Sequence, residues 1–284
     1  ATWGLGYQRS TATVFSSALA KRHSGLGPLG AGGIYAIEVD PATGSLVSVS
    51  NYLDITTLGI PVGTLPSNAA RGLSGTSTAP NTDPAGWDAV GKSAIGDMEV
   101  GSSDDELWFV NLANQTLYAV DIASATLTHT VPISLPAGAT SCPVSDIRPW
   151  AVEIHQGNVY VGVVCSAEST QDVDDLYAYI IRTSETTPGT FSLVYEFPLD
   201  YPRGNVSNPD GGYPAEWRPW SPTMTSLCTN PCAGSVDLAF DKQIIYPQPI
   251  FSDIEFDTNG SIIIALMDRL GHQAGNANYA TSNP

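Results

Sequence analysis

The sequence is poor in basic residues. It has 11 lysines and arginines against 28 aspartates and glutamates, which gives a formal net charge of −17. Proteins that bind nucleic acid need a basic surface that displaces counterions, and adsorption to anionic membranes needs similar charge. Both classes of partner are therefore disfavoured. An acidic surface suits solubility at high salt or binding of divalent cations, and a merely solvated acidic face is the alternative.

Long apolar runs, helical periods and common enzyme motifs are also missing. No apolar run approaches the ~18–20 residues of a membrane-spanning helix, and no segment has a helical period of useful length. The chain contains no Gly-x-Ser-x-Gly, no phosphate-binding glycine loop and no His-Glu-x-x-His. These absences favour an all-β protein without membrane insertion. They give no support to a catalytic function of the common kinds.

The feature that is present is a repeat. Four segments share an alternating run, a polar turn and a more continuous apolar run, which is typical of a β-hairpin; they begin at Trp3, Ile95, Pro149 and Phe251. After each of the first three hairpins comes the element (Ile/Leu)-Tyr-Ala, then a turn and a further strand; its tyrosines are Tyr35, Tyr118 and Tyr177. Four antiparallel strands in sequence make one blade of a propeller.

We therefore predict a single all-β domain over residues 1–284, a β-propeller or propeller-like array of four-stranded antiparallel blades. The blade units are about 3–53, 95–133, 147–198 and 250–284, and the long ordered loops are about 54–93 and 200–249. The fourth unit stops near Met267 after two strands, and Ala1 opens on a strand without a signal peptide. We expect that the sequence is a fragment or that another chain completes the ring. A smaller open all-β domain is the alternative.

The four cysteines predict an oxidising compartment. Cys142 precedes the first strand of the third unit and Cys165 ends its second strand, so these two can meet; Cys228 and Cys232 close a short loop. Both pairings imply a secreted protein or one on the cell surface. A zinc site is the alternative for Cys228 and Cys232, although no second Cys or His pair is near in sequence.

Two acidic pairs are the best candidates for chemistry. Asp97 and Glu99 recur as Asp253 and Glu255, while the third unit has Ala151 and Glu153. A spacing of two puts both members on one face of the innermost strand, which lines the central channel. Clustered carboxylates suit Ca²⁺. Hydrogen bonding to neighbouring blades, or pairing with arginine, is the structural alternative.

Basic and aromatic residues suggest a ligand-binding rim. Arg22 and His23 follow the first hairpin, and Arg269 and His272 follow the fourth at the corresponding place. The alternative is that they hold glycine-rich turns through backbone carbonyls. Trp217 and Trp220, together with Trp87, are candidate platforms for sugars, which requires exposed indoles; core packing is the commoner use of tryptophan.

Seven stretches of the chain also resemble a known family: 20–30, 87–97, 159–165, 197–203, 214–217, 253–257 and 268–273. They are similar to large secreted bacterial cell-surface proteins, in which an N-terminal propeller-like module precedes repetitive B-type or immunoglobulin-like stalk domains. The resemblance covers essentially the whole chain. It implies a surface-exposed module with a structural, adhesive or fibre-forming role and no assigned catalytic residues. Implied partners are other domains of the same protein, copies of itself or surface polysaccharide.

The runner-up is a propeller hydrolase or lyase acting on a small ester, lactone or sugar, or a carbohydrate-binding module. A structural module predicts a channel filled by side chains or by a bound cation. An enzyme predicts an open pocket in which carboxylates, His or Arg with shifted pKa values converge.

Overall fold

The structure is a computed structural model. It describes residues 1–73, 81–201, 203, 205–206, 213–214, 216–223, 235–238, 241–244 and 246–274. Cys228 and Cys232 lie outside these residues, so the second predicted bridge and the alternative zinc site lie there too.

Three blades have four antiparallel strands each, in the simple meander order. Blade 1 consists of β1 (Thr2–Gln8), β2 (Thr13–Ala18), β3 (Gly33–Val39) and β4 (Leu46–Asp54). Blade 2 consists of β5 (Ile95–Val100), β6 (Glu106–Asn111), β7 (Thr116–Asp121) and β8 (Thr126–Pro132). Blade 3 consists of β9 (Ile147–His155), β10 (Asn158–Cys165), β11 (Tyr177–Ser184) and β12 (Ser192–Pro198). The predicted all-β propeller architecture is confirmed.

The remaining elements are short or paired in twos. Two small hairpins are formed by β13 (Asn205–Val206) with β14 (Tyr213–Pro214), and by β15 (Ser235–Leu238) with β16 (Asp241–Ile244). Blade 4 consists of β17 (Pro249–Phe256) and β18 (Ile262–Asp268). The helices are α1 (Pro84–Ala89) and α2 (Leu270–Gln273). No helix in the described ranges is long and apolar enough to cross a membrane.

Local sequence explains the tight turns of the blades. The β9–β10 hairpin turns on Gln156 and Gly157, which both have positive φ (48° and 71°), as the two-residue turns of hairpins require. The turn between β7 and β8 is organised by Asp121, whose Oδ1 accepts a hydrogen bond from the Ser124 backbone N–H at 2.7 Å. Such turns let consecutive strands pair directly, so each unit folds back on itself.

The strand pairing corrects the sequence alignment of the first unit by one residue. Each inner strand carries a bulge, after which Leu5 pairs with Ser16, Met98 with Phe109, Val152 with Val161 and Ile254 with Ile264. In this register Gly4 and Gly6, rather than Leu5 and Tyr7, stand where blade 2 has Asp97 and Glu99. All four inner strands carry the same one-residue bulge, so the shift arises in the sequence alignment, which set Trp3 against Ile95 although Thr2 occupies that register.

Two of the three repeated tyrosines occupy matching places. Tyr35 pairs with Ser16 and Tyr118 with Phe109, so both stand at the same position of the third strand. Tyr177 lies four residues away from that position, which Ile181 takes by pairing with Val161. The expectation of three matching tyrosines was therefore wrong for Tyr177, because β10 and β11 are longer than the corresponding strands of blade 2.

The core is a series of interfaces between successive blades. Phe15 and Ile34 of blade 1 pack with Met98 and Leu107 of blade 2. Trp108 packs against blade 3, and Tyr160 packs against blade 4. The inner strands pack side by side in the order β1, β5, β9, β17, and among the described residues β17 and β1 make no contact as close as these three. The segment after blade 4 meets the segment after β2, where the Arg22 N–H donates to the His272 carbonyl at 3.1 Å, and a cleft remains between the inner strands of blades 4 and 1.

A disulfide ties the entrance of blade 3 to the end of its second strand. Cys142 is bonded to Cys165, with 5.8 Å between their Cα atoms. This confirms one of the two predicted bridges. Cys165 is fully buried in the core between blades 2 and 3. The bridge therefore anchors the segment before β9 directly to the core.

Candidate functional site

A central cavity of about 470 Å³ lies among the four inner strands. Its polar wall includes five elements of the ring: β1, β2, β5, β9 and β17. The lining residues are Thr2, Trp3, Gly4, Leu5, Ser16, Asp97, Met98, Glu99, Val152, Glu153, Ser252, Asp253 and Glu255. A second cavity of about 390 Å³ shares Glu99, Glu153 and Glu255 with the first and also contacts Tyr7 and Arg9. The three glutamates therefore stand where the two cavities meet.

The blade repeat explains why carboxylates converge here. Glu99, Glu153 and Glu255 occupy the same register position of β5, β9 and β17, because they pair with Trp108, Tyr160 and Ile263. Asp97 and Asp253 stand two residues earlier, where blade 3 has Ala151. The four residues predicted as metal ligands from the sequence (Asp97, Glu99, Asp253 and Glu255) thus line one cavity, and Glu153 joins them.

Blade 1 contributes glycines at the equivalent positions. A Cβ on Gly4 would lie 2.8 Å from the Met98 backbone nitrogen and 2.9 Å from the Gly96 carbonyl oxygen. Only glycine permits so close an approach of two backbones. The absence of side chains at Gly4 and Gly6 lets β1 pack closely on β5, and the carboxylates come from the other three inner strands.

Burial dominates the electrostatics of the cavity. It raises the pKa of Asp97 well above its usual range, and the charges of Asp253 and Glu99 add to this rise, although the Val152 N–H donates to Asp97 Oδ2 at 3.3 Å. Burial also raises the pKa of Asp253. Such shifts follow from removing a carboxylate from water and placing it near like charges.

Two of the cavity glutamates, Glu99 and Glu153, have pKa values near neutrality. Burial, followed by the charges of Glu255 and Asp253, raises the pKa of Glu99 to about 7. Burial, followed by the charges of Glu99, Glu255 and Asp253, raises the pKa of Glu153 to about 8. At neutral pH the cavity thus shares protons among several carboxylates, and a cation that enters competes with these protons.

The cavity is not a ready-made metal centre. Within the part of the chain that the structure describes, no three His, Cys, Asp or Glu side chains lie close enough to hold a metal ion together. The predicted convergence of carboxylates is present, but a first coordination shell is not. What the arrangement offers is an open, negatively charged pocket with an apolar wall at Trp3, Leu5 and Met98.

We expect Glu153→Gln to change how stability depends on pH. The pKa of Glu153 is raised from 4.5 to about 8 in the folded chain, so the folded state holds this proton more tightly than the unfolded state. Its contribution to stability is complete below pH 4.5 and is lost as pH rises towards 8. Glu153→Gln should therefore melt at a higher temperature than the wild type at pH 8 and show no such gain at pH 4. Thermal unfolding across this pH range measures the effect.

The matched control is Glu38→Gln, since Glu38 is an exposed glutamate of β3. It should leave the pH profile of the melting temperature unchanged. A Glu153→Gln profile parallel to that of the wild type would show that Glu153 titrates at the same pH in the folded and unfolded chains.

The predicted basic rim is corrected by the structure. Arg22 and Arg269 are buried and donate to backbone carbonyls: Arg22 Nη1 to Gln273 at 3.1 Å, and Arg269 Nε to Val90 at 2.9 Å. His23 Nδ1 lies 2.7 Å from Asn81 Oδ1, and the His272 ring packs edge-on against Trp3. These groups hold the ends of blades 1 and 4 and the loop before β5 together. They form a scaffold and no open ligand rim.

The predicted sugar platforms are also corrected. Trp87, Trp217 and Trp220 are all buried. The Trp220 indole donates to the Pro249 carbonyl at 2.8 Å and lies under the Arg269 guanidinium, 4.3 Å from its Cζ. A sugar needs an exposed aromatic face, and none of these three rings presents one. In the described part of the chain these three indoles serve packing.

A buried ion pair escaped the sequence analysis. Arg71 Nη2 lies 2.6 Å from Asp83 Oδ2, and both side chains are fully buried. Asp83 also accepts hydrogen bonds from the His23 and Gly86 backbone N–H groups, at 2.8 and 3.0 Å. The Asp83-Pro84 dipeptide is a sequence signal for the start of a helix. Nothing in the sequence points to Arg71 as its partner.

Comparison with known proteins gives distant relatives. No family model matches the chain. It is 24% identical over 277 residues to colossin-A of Dictyostelium discoideum, covering 96% of this chain and 2% of that protein. It is 26% identical over 272 residues to colossin-D of the same organism, covering 95% of this chain and 25% of that protein. The chain thus spans a quarter or less of the length of these relatives.

Among solved structures, regucalcin from Agrobacterium tumefaciens, described as a calcium-binding protein, aligns with a TM-score of 0.38 and 13% identity. This alignment covers 93% of this chain and 66% of that one. A chain of a nidogen–laminin complex aligns with a TM-score of 0.38 and 6% identity, covering 95% of this chain and 77% of that one.

Proposed function

We propose that the chain is an extracellular propeller module of a longer surface protein and that its central cavity binds divalent cations, Ca²⁺ first. The observation that carries the proposal is the cavity itself, in which five carboxylates from three inner strands converge. Oxygen ligands of this kind are those that Ca²⁺ prefers. The bacterial surface proteins that the sequence resembles suggest a structural, adhesive or fibre-forming role for such a module.

The location rests on the disulfide. Cys142–Cys165 closes a stretch of 23 residues, and disulfides of this structural kind persist in oxidising compartments. The length of the colossin relatives supports the proposal that this chain is one module of a longer protein. In those proteins the matching region is a small part of a much longer chain.

The electrostatics of the cavity support the proposal of cation binding. Several carboxylates with raised pKa values compete for protons because their charges repel one another and are poorly solvated. A divalent cation removes this repulsion. Binding would draw at least three oxygens together, directly or through water, so it favours the ionised state and strengthens as pH rises.

We expect CaCl₂ to raise the melting temperature at pH 8. A ligand at about a hundred times its dissociation constant stabilises the folded state by ~2.7 kcal/mol, which is roughly 5 °C for a chain of this size. The response should be smaller at pH 6, where Glu99 and Glu153 hold more protons. Differential scanning fluorimetry against CaCl₂ concentration measures both.

Matched variants separate this site from the general acidic surface. Glu153→Gln and Glu255→Gln should lose most of the calcium response, and Glu38→Gln should keep it. An equal response in all four proteins, or none in the wild type at pH 8, would refute cation binding in the cavity.

A second candidate function is hydrolysis of a small ester, lactone or sugar. The observation that favours it is an open pocket holding glutamates with pKa values near 7 and 8, which can donate or accept a proton at neutral pH. This is the arrangement that the sequence analysis associated with an enzyme. Turnover of such substrates that disappears in Glu153→Gln and persists in Glu38→Gln would establish this function in place of simple binding.

A further inference from the structure

Blade 1 exposes apolar side chains that the other blades bury. Leu5 is 62% exposed, whereas the residues at the same register position of blades 2, 3 and 4 are Met98, Val152 and Ile254, exposed by 1%, 2% and 0%. In each later blade this position faces the preceding blade. Leu5 faces the side of blade 1 where the described residues place no preceding blade.

The exposed face extends across the whole of blade 1. Tyr7 pairs with Val14, Val14 with Ile37 and Ile37 with Val49, so four apolar residues form one row over four strands. Strands lie ~4.8 Å apart, and the row therefore spans about 14 Å. Val49 is 62% exposed at its outer end. The equivalent row of blade 2 consists of Val100, Leu107, Val120 and Leu127; its first three residues are buried against blade 1, and Leu127 at the outer end is 41% exposed.

Blade 4 has the complementary open face. Ile263 is 59% exposed, whereas its equivalents Phe15, Trp108 and Tyr160 are exposed by 2%, 0% and 5% because each packs on the following blade. Asp253 and Glu255 are exposed on this same face beside it. The cleft between blade 4 and blade 1 is thus apolar on both walls and acidic at its inner end.

We propose that this cleft binds an extended polypeptide segment of a partner protein that is apolar along its length and carries lysine or arginine at the end that reaches the inner carboxylates. A polypeptide is indicated because a β-sheet covers the equivalent face at each of the three interfaces between described blades. The apolar row is also longer than a small ligand. Basic residues are indicated by the carboxylates at the inner end of the cleft, which a cationic side chain would neutralise.

Charge also argues against a second copy as the occupant. The chain carries a net charge of −17, and docking blade 4 of one copy on blade 1 of another would bring Asp253 and Glu255 to a second acidic cavity. Like charges brought together in this way are unfavourable. The negative field of the carboxylates attracts a basic partner and repels a second copy of this acidic chain.

The probe is a fluorescein-labelled ten-residue peptide of eight valine and threonine residues followed by two lysines, and its counterpart with glutamate in place of lysine. Fluorescence anisotropy should show binding of the lysine peptide to the wild-type chain, weakening with salt, and none of the glutamate peptide. Val49→Asp and Ile263→Asp should each weaken binding at least tenfold. Val49 lies outside the cavity lining and on the outer strand of blade 1, so Val49→Asp should keep the calcium response, which separates this proposal from cation binding.

The matched control is Leu127→Asp, which places the same change on an exposed apolar residue of the outer strand of blade 2. It should bind the lysine peptide like the wild type. Equal binding to Val49→Asp, or no binding to the wild type, would overturn the proposal. A wild-type dimer in light scattering that Val49→Asp dissociates would also overturn it, because the occupant would then be a second copy.

Discussion

Replacement of Arg269 by methionine is expected to lower the free energy of unfolding by about 3 kcal/mol, which corresponds to roughly 5 °C in melting temperature. The Arg269 side chain is wholly buried and donates to the Val90 and Ser221 carbonyls and to Gln248 Oε1, at 2.9, 3.1 and 2.8 Å. Methionine fills a similar volume but removes the Arg269 donor from the Val90 and Ser221 carbonyls, while Gln248 Oε1 keeps only the Ser221 N–H. Urea unfolding followed by circular dichroism measures the loss.

Arg203→Met is the matched control for this prediction. The Arg203 guanidinium also lies over an indole, 4.5 Å from Trp217, but the side chain is partly exposed and its ion pair with Asp268 is long, at 3.4 Å. Surface pairs of this kind contribute ~0–1 kcal/mol. If both variants lost equal stability, the internal scaffold that Arg269 forms would not be what holds blade 4 to the loop before β5.

Removal of the disulfide is the second change with a large expected effect. Replacing both Cys142 and Cys165 by alanine should destabilise the chain by about 3 kcal/mol, since the bridge closes a loop of 23 residues and restricts the unfolded chain. The loss of a buried sulfur at Cys165 adds to this. Chemical denaturation under non-reducing conditions measures the difference between wild type and variant.

Reduction of the wild-type protein should reproduce the effect of the double variant, whereas the variant itself should not respond to reductant. Mass spectrometry of protein taken from its native cells with thiols blocked also tests the proposed location. It should find the Cys142–Cys165 linked peptide. Free thiols at both positions in freshly isolated protein would place the chain in a reducing compartment and contradict the extracellular proposal.

The sequence was most informative about the repeated unit. Strand alternation and turn residues are local signals, so the blades and the Cys142–Cys165 bridge could be predicted from them. The register was harder to predict: the alignment of blade 1 with the other blades was off by one residue, and the longer β10 and β11 place Tyr177 four residues from the expected position. Both differences depend on backbone pairing between strands, which no local pattern specifies.

The candidate site was also predicted only in part. The repeat placed Asp97, Glu99, Asp253 and Glu255 on equivalent inner strands, and the structure brings them to one cavity. The predicted ligand rim and sugar platforms were wrong because the sequence shows the chemistry of basic and aromatic residues but not whether they are buried. Composition does not show which of these side chains are buried. The structure buries Arg22, Arg269, Trp217 and Trp220.

The contact between Arg22 and Gln273 joins groups 251 residues apart in the sequence, and Gln273 Nε2 also donates to the Trp87 carbonyl. A nascent chain leaves the ribosome from its N-terminus at roughly 5–20 residues per second. Blades 1 to 3 can therefore pack in order during synthesis, while these last bonds wait until almost all of the sequence has emerged. Until then neither bond of Gln273 can form, and a stalled or truncated product would leave the segment after β2 accessible to chaperones and proteases.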